Sequence, residues 1–128
     1  MKALTPAVEL AGRVLLAAIF VLSGFTKIGG YAATQAYMES AGVPGALLPL
    51  VIVAELGGGL AVVAGLLTRW AALGLAAFSI ASAVLFHASA DQIQQILFLK
   101  NFAMAGGFLI LAMNGAGAWS LDRKLGRA

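Results

Sequence analysis

The amino-acid order predicts an all-α integral membrane protein, a four-helix bundle with its N and C termini cytoplasmic, and three observations carry that prediction. Of 128 residues, 62% are apolar and only 10% charged, against roughly a quarter charged in soluble domains. The charges fall mostly outside four apolar segments, at about 7–28, 46–67, 70–88 and 96–114, each close to the ~20 residues that a helix needs to cross the hydrocarbon. The segments lack the period-two alternation of barrel strands, and backbone in lipid must bond within its own segment, so each is read as a helix. Residues 1–128 are thereby read as a single transmembrane domain, with no length left for a separate soluble one.

The net charge of +3 matters less than its placement. With four spans both termini share a side, which then carries Lys2, Arg13, Arg69, Arg123, Lys124 and Arg127, leaving Lys27 and Lys100 for the other. Six cations against two orient the termini toward the cytoplasm. The expected partner of this surface is the lipid bilayer, not nucleic acid. Trp70 and Trp119 at the inner ends, with Tyr31 and Tyr37 outside, match the interfacial preference of amphipathic rings.

Segment 7–28 is too long for the apolar core of a secretory signal and is followed by no cleavage pattern, so it is read as a retained helix. Its Arg13 and Lys27 lie about 21 Å apart along a helix, which lets both snorkel to opposite head-group layers. In the connection 29–45, glycines and a proline bracket Tyr31–Ser40, which reads as a short interfacial helix. Segment 46–67 places Glu55 about 13 Å inside its outer end, where a carboxylate costs roughly 2.5 to 3.5 kcal/mol and needs a partner. Gly57, Ala61 and Gly65 form a small-residue stripe suited to close helix packing, and Gly58 and Gly59 would clear space beside the carboxylate. Thr68-Arg69 reads as a tight inner turn. Segment 70–88 closes near His87, read as a wetted interfacial residue. After the connection 89–95, where Asp91 is placed to cap the next helix, segment 96–114 opens with Lys100 and Asn101.

Placed by depth, Lys27, Glu55, His87, Lys100 and Asn101 all fall in the outer half of the bundle. Ser23, one turn below Lys27, extends that polar stripe toward Glu55. Lys100 is the cation best placed to reach Glu55, and such a pairing would keep the carboxylate charged, whereas isolation would leave it protonated. The chain has no cysteine, which excludes disulfides and thiol chemistry within it. One histidine and scattered acids have no metal-ligand spacing, so no metal site is expected. Met104 and Met113 read as packing rather than haem ligands. The glycines lie within spans, not in phosphate-binding turns.

Taken in order, the stretches 12–27 (GRVLLAAIFVLSGFTK), 41–44 (AGVP), 55–59 (ELGGG), 65–69 (GLLTR), 86–87 (FH), 100–101 (KN) and 120–122 (SLD) resemble the DoxX family of small four-helix membrane proteins. The resemblance runs over nearly the whole chain. It implies a multi-pass protein of the bacterial inner membrane, related to proteins that serve as the membrane subunit of thiosulfate:quinone oxidoreductase or are linked to quinone, catechol and oxidative-stress handling. The positions matching the family's polar signature are Arg13, Ser23, Lys27, Glu55, Arg69, His87, Lys100 and Asn101. The two arginines stand on the cytoplasmic side and the other six form the candidate ligand site. Since the chain offers no self-sufficient catalytic motif, the leading expectation is a subunit of an oxidoreductase system. It would work with a soluble oxidoreductase partner, bind a quinone-like molecule in the outer half, and use Glu55 as proton relay. The alternative is a noncatalytic scaffold or a lipid- or small-molecule-binding protein that recruits a partner enzyme. Transport is less attractive for four short unbroken spans, unless a homo-oligomer supplies the path.

Overall fold

The computed structural model describes residues 2–127. A 3-10 turn, Lys2–Leu4, leads into α1 (Thr5–Gly29), whose Pro6 sits in the first turn where a missing amide proton costs nothing. Then follow α2 (Tyr31–Ser40), α3 (Gly45–Ala64), α4 (Thr68–Phe86), α5 (Gln92–Asn114) and the short α6 (Leu121–Lys124). Among the described residues there is no strand, and α1, α3, α4 and α5 are long and apolar enough to cross a membrane.

The core lies at mid-height. The Phe20 ring of α1 meets Phe108 of α5 edge-on at 5.4 Å and Phe78 of α4 at 6.2 Å. Ala72, Ala76, Ala105 and Ala112 around it are buried. Because lipid is as apolar as leucine, helices associate here through close packing of such small residues. The α4–α5 pair is the most extensive in the bundle.

The seam between α1 and α3 depends on two glycines. A Cβ at Gly24 would stand 2.9 Å from both the Leu56 amide nitrogen and its Cβ, and one at Gly59 would stand 2.9 Å from Val21 Cγ2. The anticipated stripe of Gly57, Ala61 and Gly65 is not this seam: Gly57 faces open space, and Gly65 ends the helix at φ 70°. Nor do Gly58 and Gly59 clear room for the carboxylate, since Leu75 packs on Gly58 and Val21 on Gly59. The reason lies in α3 itself, which is α-helical over Leu48–Ile52, passes through a π turn at Val53–Gly57 and resumes as α over Gly58–Ala64. A π turn inserts one residue, so each position beyond it is rotated from where a 3.6-residue period would put it.

At the end that holds both termini, two arginines and one aspartate close the bundle. Gly65 in the left-handed region stops α3 at Ala64, so the turn occupies 65–67 and Thr68 already belongs to α4, in place of a turn at Thr68-Arg69. Leu67 is the only non-glycine residue with positive φ among those described, at 49°. Its amide donates to Asp122 Oδ1 at 2.7 Å, and the Thr68 amide donates to Oδ2 at 2.9 Å. Asp122 thus caps α4 from across the chain, and its own amide donates to the Gly65 carbonyl at 2.8 Å. Arg13 does not snorkel. It is 2% exposed and donates to the carbonyls of Val62, Val63 and Trp119. Arg69 donates to the carbonyls of Ala112 and Met113 at 3.0 and 2.6 Å. The last carbonyls of a helix have no partner within it and carry the negative end of its dipole. Each guanidinium therefore closes the C-terminus of a neighbouring helix, Arg13 that of α3 and Arg69 that of α5. Asp91 occupies the N-cap position of α5 but makes no capping bond through its side chain, and the helix begins at Gln92.

Burial works against the Asp122 charge, but the bonds from the Thr68 and Leu67 amides and the nearby Arg127 outweigh it, so its carboxyl titrates below the ordinary 3.8. A depressed carboxylate contributes stability that is present above its unfolded-state pKa and lost as pH falls through the lower folded value. Asp122→Asn should therefore lower the melting temperature in detergent at pH 7, by the equivalent of about 1 to 3 kcal/mol. The gap to the parent protein should narrow once the scan is carried below pH 3.8. A second comparison tests the seam: Gly24→Ala should cost about 1 to 3 kcal/mol by overpacking, whereas Gly57→Ala should be neutral or slightly stabilising in the same melt.

Candidate functional site

At the opposite end, Ser23 and Lys27 of α1 stand one turn apart on one face. The π turn turns Glu55 of α3 toward them. The Lys27 ammonium lies 2.5 Å from Glu55 Oε1, and the Glu55 side chain is almost wholly enclosed. Lys27, rather than Lys100, is therefore the partner of the carboxylate. The cause is geometric: α1 and α3 are drawn together by Gly24 and Gly59, whereas Lys100 lines the same cavity from α5. An ammonium has three donors, and Glu55 takes one of them.

That cavity holds about 190 Å³ and is lined by all six expected residues: Ser23, Lys27, Glu55, His87, Lys100 and Asn101. Three sequence-distant helices converge on it with Glu55 from α3. Asn101 is held in place by donating from Nδ2 to the Ser79 carbonyl at 3.2 Å, and the Ser79 hydroxyl donates in turn to the Leu75 carbonyl at 2.8 Å. His87 is half-buried at the end of α4 rather than freely wetted, and its Nδ1 lies 2.7 Å from Gln94 Oε1. With Gln94 oxygen as acceptor, Nδ1 is the donor of this contact, which leaves Nε2 to face other partners.

A second chamber of about 300 Å³ adjoins the first beneath α2, lined chiefly by apolar side chains of α2, α3 and α4. Lys27, Glu55, Phe78, Ser82 and His87 line both, so the ion pair stands in the common wall. The arrangement offers polar contacts on one side and apolar volume on the other. Arg13 and Arg69, expected from the family signature, are not brought here; they close the far end of the bundle. Sequence reasoning passed over Ser79 and Ser82, the only hydroxyl residues within segment 70–88, spaced to share a helix face with Phe78 and Phe86. Tyr37, expected only as an interfacial ring, and Met38 reach the second chamber from α2. Among the described residues, no group of three or more His, Cys, Asp or Glu side chains could hold a metal ion.

A helical membrane bundle with a paired carboxylate in the wall of a polar cavity defines the class of protein. The DoxX family profile matches residues 8–88, and this chain belongs to the DoxX family. It is 48% identical over 128 residues to the inner membrane protein YqjF of Escherichia coli (strain K12), an alignment covering 99% of this chain and 98% of that protein. It is 35% identical over 127 residues to the inner membrane protein YphA of the same organism, covering 93% of this chain and 91% of that one. No solved structure matches the chain significantly. With four membrane-crossing helices and these relatives, it is a multi-pass inner-membrane protein in contact with the lipid bilayer.

This ion pair, with Glu55 enclosed and Lys27 partly exposed, is hard to break from the lysine side, because the enclosed carboxylate is left as an unpaired charge. Lys27→Met alone should destabilise the bundle by about 3 to 5 kcal/mol, whereas Lys27→Met with Glu55→Leu should recover most of that loss. Thermal unfolding of the two variants in detergent measures the difference.

Proposed function

We propose that the protein is a membrane subunit of an oxidoreductase system and binds a quinone-like molecule in the cavity at the Lys27 end. The observation that carries this reading is the ion pair in the wall between a polar and an apolar chamber, which suits a ligand with a polar ring and an apolar remainder. The fit is adequate in size. Pockets for small ligands run to roughly 300–1,000 Å³; the polar chamber alone has room for one ring, and the adjoining one brings the site into that range. The donors suit it as well. Lys27 keeps two N–H groups beyond Glu55, and Lys100 and the Ser23 hydroxyl can also donate to a ring carbonyl. A quinone accepts two electrons and two protons. The electrons would come from a soluble oxidoreductase partner, since this chain holds no redox-active side-chain pair, and Glu55 would hold a proton beside the ring. The positive-inside distribution would place the site toward the outer leaflet and both termini in the cytoplasm.

A second reading rests on the same ion pair seen differently. It joins α1 to α3 and so fixes their register, which is the role such a pair has in a noncatalytic scaffold that binds lipid or recruits an enzyme.

Native mass spectrometry of protein purified gently from its own membrane, followed by extraction of bound small molecules, separates the two. The redox reading expects a stoichiometric quinone, and expects Glu55→Gln to weaken electron transfer to quinone while the bundle stays folded. Lipid alone in the extract, with Glu55→Gln lowering stability but leaving redox behaviour untouched, would establish the scaffold.

A further inference from the structure

The polar chamber alone has room for a ring, which leaves the larger apolar one for whatever the ring carries. That larger chamber is built with care. On α4, Phe78, Ala81, Ser82 and Leu85 recur at the spacing of one helix face and form one wall. Helix α2 makes the roof. Its Tyr37 ring stacks on Phe86 at the end of α4, with centroids 5.5 Å apart and planes inclined by 23°, and its Met38 is buried. Beyond α2 the chain reverses at Gly42, φ 82°, and Gln35 Nε2 donates to the Gly45 carbonyl at 3.3 Å, so the helix is folded back across the bundle.

The chamber also has an open side. Leu47, Leu85 and Tyr37 line it, yet each is about half exposed on the bundle surface, at 42%, 52% and 53%. On a membrane bundle that exposed apolar side meets acyl chains, which gives the chamber a lateral mouth into lipid.

We infer that the chamber beneath α2 receives the hydrocarbon substituent of the ligand, and that the substrate class is therefore an alkyl-substituted ring dissolved in the membrane rather than a bare, water-soluble ring. This rests on the reading of the polar chamber as a ring site. The ring lies among Ser23, Lys27 and Lys100. Its substituent passes the Lys27–Glu55 pair and Phe78 into the chamber and out toward lipid beside the Tyr37–Phe86 stack. Ala81 and Leu85 are then specificity-determining positions, although neither touches the ring.

Two probes test the inference on the full chain in detergent: a decyl-substituted benzoquinone and the same ring without the decyl chain, bound at equilibrium and quantified by native mass spectrometry. The decyl compound should bind at least about tenfold more tightly. Ala81→Trp, which fills the chamber from α4, should remove that preference and leave the bare ring's affinity unchanged; Val51→Phe does the same from α3 should the first variant fold poorly. Ala103→Trp, a substitution on α5 outside both chambers, should change neither affinity, which controls for partition into the micelle. Equal affinity of the parent for both probes, or a preference that survives filling of the chamber, overturns the substituent pocket while leaving the ring site standing. Failure of both probes to bind overturns the ring site and the substituent pocket together.

Discussion

The contact on which the rest of this bundle depends is the ion pair between Lys27 and Glu55. A carboxylate within a membrane-crossing helix is tolerated only with a partner, and supplying that partner sets conditions on its surroundings. Helices α1 and α3 must approach closely, which Gly24 and Gly59 permit because a Cβ at either would press on its neighbour at 2.9 Å. The carboxylate must also be aimed at α1, and the π turn at Val53–Gly57 does that. Such turns cost hydrogen-bond regularity and recur at functional sites. Here the turn brings the Leu56 backbone against Gly24 and Glu55 against Lys27 within one stretch of α3.

The two ends of the molecule use charge in opposite ways. At the terminal end, Arg13, Arg69 and Asp122 are spent on backbone: the guanidiniums take the last carbonyls of α3 and α5, and the carboxylate takes the first amides of α4. Those groups would otherwise be orphaned at helix ends, so the charges serve closure and leave little for a ligand. At the other end, the polar side chains face a cavity instead. Lys27 retains donors, Lys100 lines the same space, and Asn101 and His87 are fixed by one hydrogen bond each. The same family signature therefore divides into a structural set and a site set, a division that residue type does not reveal.

The apolar chamber adjoins the polar cavity, and several of the residues that line it reach the bundle surface. Its walls are ordinary apolar residues of α3 and α4 at helical spacing, and only the placement of α2 above them makes a pocket of what would otherwise be a lipid-facing groove. A short helix pinned by Tyr37 and Met38 accordingly has more influence on the site's shape than its modest composition suggests.

The number and nature of the long helices were legible in the sequence because they follow from composition: a run of about twenty apolar residues has few other fates. The Tyr31–Ser40 helix was legible because glycines and proline bracket it. The six residues that line the polar cavity could be brought to one level from depth, since the rise per residue is constant, with Ser23 added from its place one turn below Lys27 on the same face. What tertiary structure decided was rotation and pairing. Which cation meets Glu55, which glycines form the seam and whether Arg13 reaches water or carbonyls all depend on the azimuth of one helix against another. A single π turn resets that azimuth without a mark in the residue pattern. The sequence by itself thus determined how far along its helix each group lies, and only the packed bundle decided which way it points, because position accumulates along one chain whereas orientation is settled between chain segments distant in sequence.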